Sequence, residues 1–202
     1  MPPVIISSDS CKKKIPGYDP AKAQNFHEES ARMADREYEL AIKDSNIKQV
    51  VILCGGSASG KSELIDAYLV NEYNENTIVL DSTLSSNSGA INKICPALKK
   101  KLKIILYFVQ PQSIRLSYQA FLFRERQFPV KHFIRTHSGA RDTFLFVLRK
   151  YPEVDGVYIF SYLSGDKMQS QFQQVALSRS EIILAIKQEQ LTTEEITNII
   201  QI

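Results

Sequence analysis

The sequence predicts an α/β fold: a short parallel sheet of about four strands with helices on both faces. Three observations predict it. Apolar, β-branched runs recur near 47–54, 77–81, 103–109 and 157–162. Stretches with apolar residues at helical spacing separate them, so each strand returns through a crossover helix and neighbouring strands run parallel. The first run empties into a loop of glycines and small residues, Gly55-Gly56-Ser57-Ala58-Ser59-Gly60-Lys61-Ser62.

In chain order, residues 1–18 read as an N-terminal arm: Pro-rich, with Lys12-Lys13-Lys14 and a Pro16-Gly17 break. Asp19-Pro20 is a helix start, with Asp as N-cap and Pro in the first turn. A long helix follows to about 44, with Phe26, Ser30, Met33, Tyr38 and Ala41 tracing one face. The first strand, 47–54, leads through the glycine-rich loop into a helix carrying Leu64, Ile65, Tyr68 and Leu69 on one side. The second strand, 77–81, ends in Asp81, and Ser82, Thr83 and further small hydroxyl residues follow. A helix over 89–101, a strand over 103–109 and a helix opened by Pro111 come next. Phe128-Pro129 interrupts that helix, and a second helical stretch, 130–150, carries a break at Ser138-Gly139. The fourth strand is 157–162. The domain core is therefore 19–165, and 166–202 form a C-terminal helical extension packed on it. Its last helix begins with the capping box Thr192-Thr193-Glu194-Glu195.

The bulk properties exclude several classes. The chain has 202 residues, enough for one α/β domain, with 44% hydrophobic and 23% charged residues, as in ordinary globular proteins. A net charge of +3, with no basic stripe interleaved with aromatics, argues against a nucleic-acid footprint. Cys11, Cys54 and Cys95 are odd in number and lack C-x-x-C spacing, so neither a disulfide framework nor a zinc site is expected, and a reducing cytoplasm fits. His27, His132 and His137 show no ligand spacing. Val4-Ile5-Ile6 is too short for a signal-peptide core, and the apolar run at 104–109 is too short to span a bilayer.

Residues 55–62 fit G-x-x-x-x-G-K-[ST], the phosphate-binding P-loop. Glycines and small side chains let the backbone curl around an anion, so that its amides and the following helix N-terminus point at phosphates. Gly55, Gly56, Ser57, Ala58, Ser59, Gly60, Lys61 and Ser62 are thus the candidate nucleotide-binding residues. Lys61 reaches the β- and γ-phosphates, and the Ser62 hydroxyl ligates Mg²⁺. In open α/β sheets ligands bind beyond the carboxyl ends of the strands, where Asp81 also falls. Asp81 is the candidate second Mg²⁺ group, catalytic base and acceptor-binding residue, and Thr83 on the same loop is the candidate partner of the acceptor. Phosphoryl transfer also needs a cation. Among Arg115, Arg124, Arg126, Lys131, Arg135 and Arg141, Arg126 and Arg135, one on each side of the Phe128-Pro129 hinge, are the candidate lid cations, with Arg141 next.

These residues resemble the zeta-toxin-type kinases of the P-loop nucleoside triphosphate hydrolase superfamily. The likeness lies in Gly55 to Ser62 after Val51-Ile52-Leu53, in Val79-Leu80-Asp81-Ser82-Thr83-Leu84, and in Tyr107-Phe108-Val109-Gln110-Pro111 with Arg126-Gln127-Phe128-Pro129 beyond it. It covers about residues 20–162 and implies a P-loop three-layer sandwich with an N-terminal helix and a helical lid. It also implies ATP and Mg²⁺ as cofactors, Lys61 and Ser62 at the nucleotide, Asp81 and Thr83 on the acceptor side, and Arg126 as transition-state cation. The toxins phosphorylate a hydroxyl of a nucleotide sugar, UDP-N-acetylglucosamine. Two departures separate this chain from them. Ser82 stands where the family has Gly, and the residues between Ser62 and Thr77 are used by a helix, leaving no room for the family's acidic segment with its proposed base.

The expected function is therefore ATP/Mg²⁺-dependent phosphorylation of an unidentified small-molecule hydroxyl, with GTP as the other nucleotide to consider. The alternative is a nucleotide-binding switch or regulatory P-loop protein with slow hydrolysis. The expected partners are a nucleoside triphosphate, a small-molecule acceptor and, from the toxin likeness, a protein partner or antitoxin, without membrane or nucleic acid.

Overall fold

β2 (Gln49–Cys54) is buried on both sides, and the layers of the fold follow from its alternation. Val50, Ile52 and Cys54 point to one face of the sheet, and Val51 and Leu53 to the other. A strand with no polar face has to sit in the middle of a sheet covered on both sides. The structure, a computed structural model, describes residues 1–164, 169–189 and 191–201.

The sheet contains β1 (Val4–Ser7), β2, β3 (Thr77–Asp81), β4 (Lys103–Pro111), β5 (Val154–Ser164) and β6 (Gln169–Val175), in the order β1-β3-β2-β4-β5-β6. All neighbouring pairs are parallel except β5 with β6. The fold is thus α/β with a six-stranded, mostly parallel sheet. One face carries α2 (His27–Ala41), α5 (Asn87–Lys99), α7 (Val130–Lys150) and α8 (Arg179–Gln188), through Tyr38, Ile94, Phe144 and Ile182. The other face is covered by the helix after the glycine-rich loop. It begins as α3 (Lys61–Leu64), widens into a π-helical turn (Ile65–Leu69) and ends as α4 (Val70–Glu72), burying Leu64, Ile65 and Leu69. α6 (Ile114–Leu122) and α9 (Thr193–Gln201) close the end of the sheet next to that loop. There Phe121, Phe133 and Ile196 pack with Ala58.

Several expectations are corrected. Residues 1–18 are not an arm: Val4–Ser7 form the edge strand, paired with β3 in the register Ile5↔Val79, and α1 (Ser8–Lys12) follows. A run of three β-branched residues has no local signal strong enough to declare a strand; the free parallel edge of β3 makes it one. The sheet accordingly has six strands, not four. The helix predicted from Pro20 divides into a 3-10 segment (Pro20–Phe26), capped by the Asp19 side chain and itself kinked at Lys22, and α2. α7 runs unbroken through Ser138-Gly139. Ser138 donates its hydroxyl to the Ile134 carbonyl within the helix. A Cβ on Gly139 would stand 2.5 Å from the Ser85 carbonyl, so the glycine serves close packing, not termination. The residues after β5 are not wholly helical, since β6 folds back on β5 before α8 and α9. The expected boundary at 165/166 lies outside the described residues. The capping box before α9 forms, with Thr192 N–H on Glu195 Oε2 and Glu195 N–H on Thr192 Oγ1. Among the described residues, no helix is long and apolar enough to cross a membrane.

Ile6 is 4% exposed and seats β1 against the core. Ile6→Ala should cost about 2 kcal/mol or more, read as a fall in the urea midpoint. A loss below about 0.5 kcal/mol, the range of surface substitutions, would count against β1 as part of the sheet.

Candidate functional site

The carboxyl ends of β1, β2 and β3 lie along one edge, with Ser7 in register beside Asp81. A cavity of about 250 Å³ opens there. Its walls include Asp9 and Lys12 from α1, Lys61 and Ser62 from the glycine-rich loop, Asp81 and Thr83 after β3, and Arg124 and Arg126 from the segment between α6 and α7.

The loop between β2 and α3 is held from outside. His137 donates Nε2–H to the Ser57 carbonyl at 2.9 Å, Ser117 its hydroxyl to the Ala58 carbonyl at 2.9 Å, and Ser161 its hydroxyl to the Ser59 carbonyl at 2.8 Å. The carbonyl can only accept, so this contact fixes the His137 tautomer. Among the described residues there are no cis peptides, and in a trans peptide C=O and N–H point opposite ways. Pinning these three carbonyls outward therefore turns the amides of Ala58, Ser59 and Gly60 to the opposite side, where the Ser59 N–H donates to the Gly56 carbonyl at 3.3 Å. The curl needs left-handed backbone at Ala58 (φ 61°) and Gly60 (φ 88°). Gly56 is required for another reason: a Cβ there would stand 2.2 Å from the His137 ring. The Gly55 N–H donates to the Thr83 carbonyl at 3.2 Å, tying the loop to the end of β3.

Lys61 fills the hollow. Its Nζ donates to the carbonyls of Gly55 and Gly56 at 2.9 and 2.7 Å and reaches Ser59 Oγ at 3.3 Å. Burial lowers its pKa to about 8, against the opposing pull of Asp81. At the mouth, Ser62 donates its hydroxyl to Asp81 Oδ2 at 2.8 Å. A hydroxyl and a carboxylate side by side are the hard oxygen donors that suit Mg²⁺.

The candidate arginines separate. Arg124 is half-buried in the cavity wall, within the electrostatic reach of Glu63 and Asp81. Arg126 lines the same cavity but is ion-paired to Asp9. Arg135 is exposed on α7 and does not line the cavity; it acts on His27 only through its charge. Arg141 is buried beside a separate small cavity and donates to the Leu191 carbonyl.

Sequence reasoning did not single out Asp9, Ser117 or Ser161, and it counted Arg124 in the basic segment and Lys12 in the lysine cluster without giving either a role of its own. A signal for Asp9 existed: Ile5-Ile6-Ser7-Ser8-Asp9 places an acid and small hydroxyl residues after an apolar run, as Leu80-Asp81-Ser82-Thr83 does. For Ser117 and Ser161 there was none, because a serine's use depends on which carbonyl it meets.

Compared with known proteins, the chain matches no family model and no curated protein. The geometry therefore carries the functional reading.

Burial lowers the pKa of His132 to about 4 and of His137 to about 3, from an ordinary value near 6.5. Below pH 6.5 the unfolded chain binds protons at these positions that the folded chain refuses. Stability is thus complete above pH 6.5 and declines as pH falls. At pH 5 each histidine should account for a loss of about 2 kcal/mol. Urea unfolding at pH 7, 6 and 5 measures the slope, and His137→Gln, whose amide can still donate to Ser57, should reduce it by about one proton. An unchanged slope would mean that His137 is not held neutral.

Proposed function

We propose that the chain is a P-loop phosphotransferase, similar to the zeta-toxin-type kinases, that transfers the γ-phosphoryl group of ATP to a hydroxyl of a small molecule with Mg²⁺. The observation that carries the reading is the loop itself: outward-pinned carbonyls, inward-turned amides and a buried lysine ammonium, on the end of a central parallel strand.

In this reading the phosphates enter the hollow, and Lys61 leaves the carbonyls of Gly55 and Gly56 for the β- and γ-oxygens. Ser62 and Asp81 would hold Mg²⁺, which neutralises charge on the phosphates. Thr83, on the cavity wall, meets the acceptor. Arg124 takes the part of transition-state cation, because it stands near Asp81 while Arg126 is engaged with Asp9 and Arg135 is on the surface. The acceptor oxygen attacks the γ-phosphorus, its proton passes to a carboxylate, and ADP leaves with the electrons of the broken P–O bond. Asp81 touches the loop through Ser62, and Asp9 and Asp35 are further acids in the same cavity.

Lys61→Ala should weaken Mg-ATP binding by about 10- to 100-fold, the effect of losing hydrogen bonds worth 1.5–3 kcal/mol to a charged group. An anion in the hollow favours the charged lysine, whose pKa without ligand is about 8. ATP affinity of the wild-type chain should therefore hold to pH 8 and then fall, approaching one proton per molecule, a fall absent from Lys61→Ala. Titration calorimetry from pH 7 to 9.5 reads both. Equal ATP affinity in the two proteins would sink the nucleotide reading. ADP release that no panel of sugars, nucleosides or nucleotide sugars accelerates would sink the transfer reading.

A further inference from the structure

Beyond Lys61 and Asp81 the cavity holds a group of basic side chains that the transfer reading leaves unused. Lys12 ends α1, His27 starts α2, Arg126 and Phe128 lie before α7, and His132 stands in the first turn of α7. All five line the cavity. They gather around the Phe128 ring, which stacks on His132 at 4.4 Å between centroids, meets His27 edge-on at 5.8 Å and carries the Lys12 ammonium 5.0 Å from its centroid. His27 and His132 are themselves 5.6 Å apart.

The group is short of acceptors. Lys12 is 2% exposed, yet its Nζ has a single hydrogen-bond partner among the described residues, Asp9 Oδ1 at 3.0 Å. The other oxygen of the same carboxylate pairs with Arg126. One negative charge thus serves two buried or half-buried cations. His132 is 8% exposed, and its Nδ1 and that of His27 are buried without a hydrogen-bond partner among the described residues. Buried polar nitrogens without partners are rare and costly, and these belong to side chains that face a cavity. Burial and the charges of Lys12 and Arg135 also keep both rings in their neutral form, a bias that an incoming anion would offset.

We propose that Lys12, Arg126, His27 and His132 form a second anion subsite, which holds a phosphate group carried by the acceptor molecule. The proposal rests on the reading of the glycine-rich loop as the nucleotide cradle, which assigns the remaining part of the cavity to the acceptor. An ammonium, a guanidinium fork and two imidazoles supply more donors than the two oxygens of a carboxylate use, and they match the three free oxygens of a phosphate monoester. Asp9 acts here as a positioning residue: its carboxylate holds Lys12 and Arg126 side by side. The acceptor is then a phosphorylated, hydroxyl-bearing small molecule, anchored at one end while its hydroxyl meets the γ-phosphate at the other.

The test is calorimetric titration of inorganic phosphate, and separately of acetate, into the full chain saturated with Mg²⁺ and adenylyl imidodiphosphate, which occupies the loop. Phosphate should bind with the analogue present. Lys12→Gln and Arg126→Gln should each weaken it at least 10-fold while leaving the analogue's affinity within about 2-fold. Arg126 sits on the more accessible segment before α7, so Arg126→Gln reports on the subsite even where Lys12→Gln disturbs folding. In Lys61→Ala, where the loop is disabled, phosphate should still bind within about 2-fold of wild type. Phosphate that competes with the analogue, or that is lost in Lys61→Ala and indifferent to Lys12 and Arg126, overturns the subsite. Acetate binding as tightly as phosphate overturns the phosphate assignment. Failure of the analogue to bind is read in its own titration and counts against the nucleotide reading, while phosphate binding in Lys61→Ala still reports on the subsite.

Discussion

The candidate site depends on three hydrogen bonds that point away from it. His137, Ser117 and Ser161 reach the carbonyls of Ser57, Ala58 and Ser59 from α7, α6 and β5. Each bond is modest taken singly, about 1 kcal/mol net. Together they determine which way a run of peptide planes faces. With the carbonyls of Ser57, Ala58 and Ser59 held from outside, the inner side of the loop keeps the carbonyls of Gly55 and Gly56, which accept the Lys61 ammonium. The outer side of this strand-to-helix turn is held by elements distant in sequence.

The same bonds set demands on the rest of the molecule. His137 can reach Ser57 only if residue 56 has no side chain, and α7 can lie that close only if Gly139 lets it approach the Ser85 carbonyl. The burial that makes the contact dry also holds the imidazole neutral, so that it keeps one donor and leaves the loop without an extra positive charge. Lys61 is then the charged group of the hollow. Its own pKa is lowered by that dryness, and Asp81 at the mouth offsets part of the penalty.

The first twelve residues change the character of the cavity. Through β1 they extend the sheet past β3, and through α1 they bring Asp9 and Lys12 beside Arg126 and Phe128. The cavity therefore carries Asp9 and Asp35 besides Asp81, and a second basic cluster, none of which belongs to the glycine-rich loop. The three carboxylates stand beside different partners: Asp9 pairs with Lys12 and Arg126, Asp35 with Lys93, and Asp81 accepts the Ser62 hydroxyl.

Much of this was legible in the sequence because it is local. The apolar run into Gly55, the acid at the end of 77–81 and the strand at 103 each follow from alternation, turn chemistry and length, which neighbouring residues decide. The loop residues and Asp81 were found for the same reason, and the structure brings Ser62 and Asp81 into contact. What only the tertiary structure decided is non-local. Val4–Ser7 became a strand because β3 had a free edge, and Ser138-Gly139 stayed helical because Ser85 lay where a glycine was needed. Arg124 stands by Asp81 while Arg135 faces solvent, although both are arginines of one basic segment, because Arg124 lies in the segment that follows α6 and Arg135 lies inside α7, and their directions are set by packing. The sequence by itself determined the loop and the strands that present it; which distant side chains hold that loop open, and which cations share its cavity, was decided by contacts that no local pattern encodes.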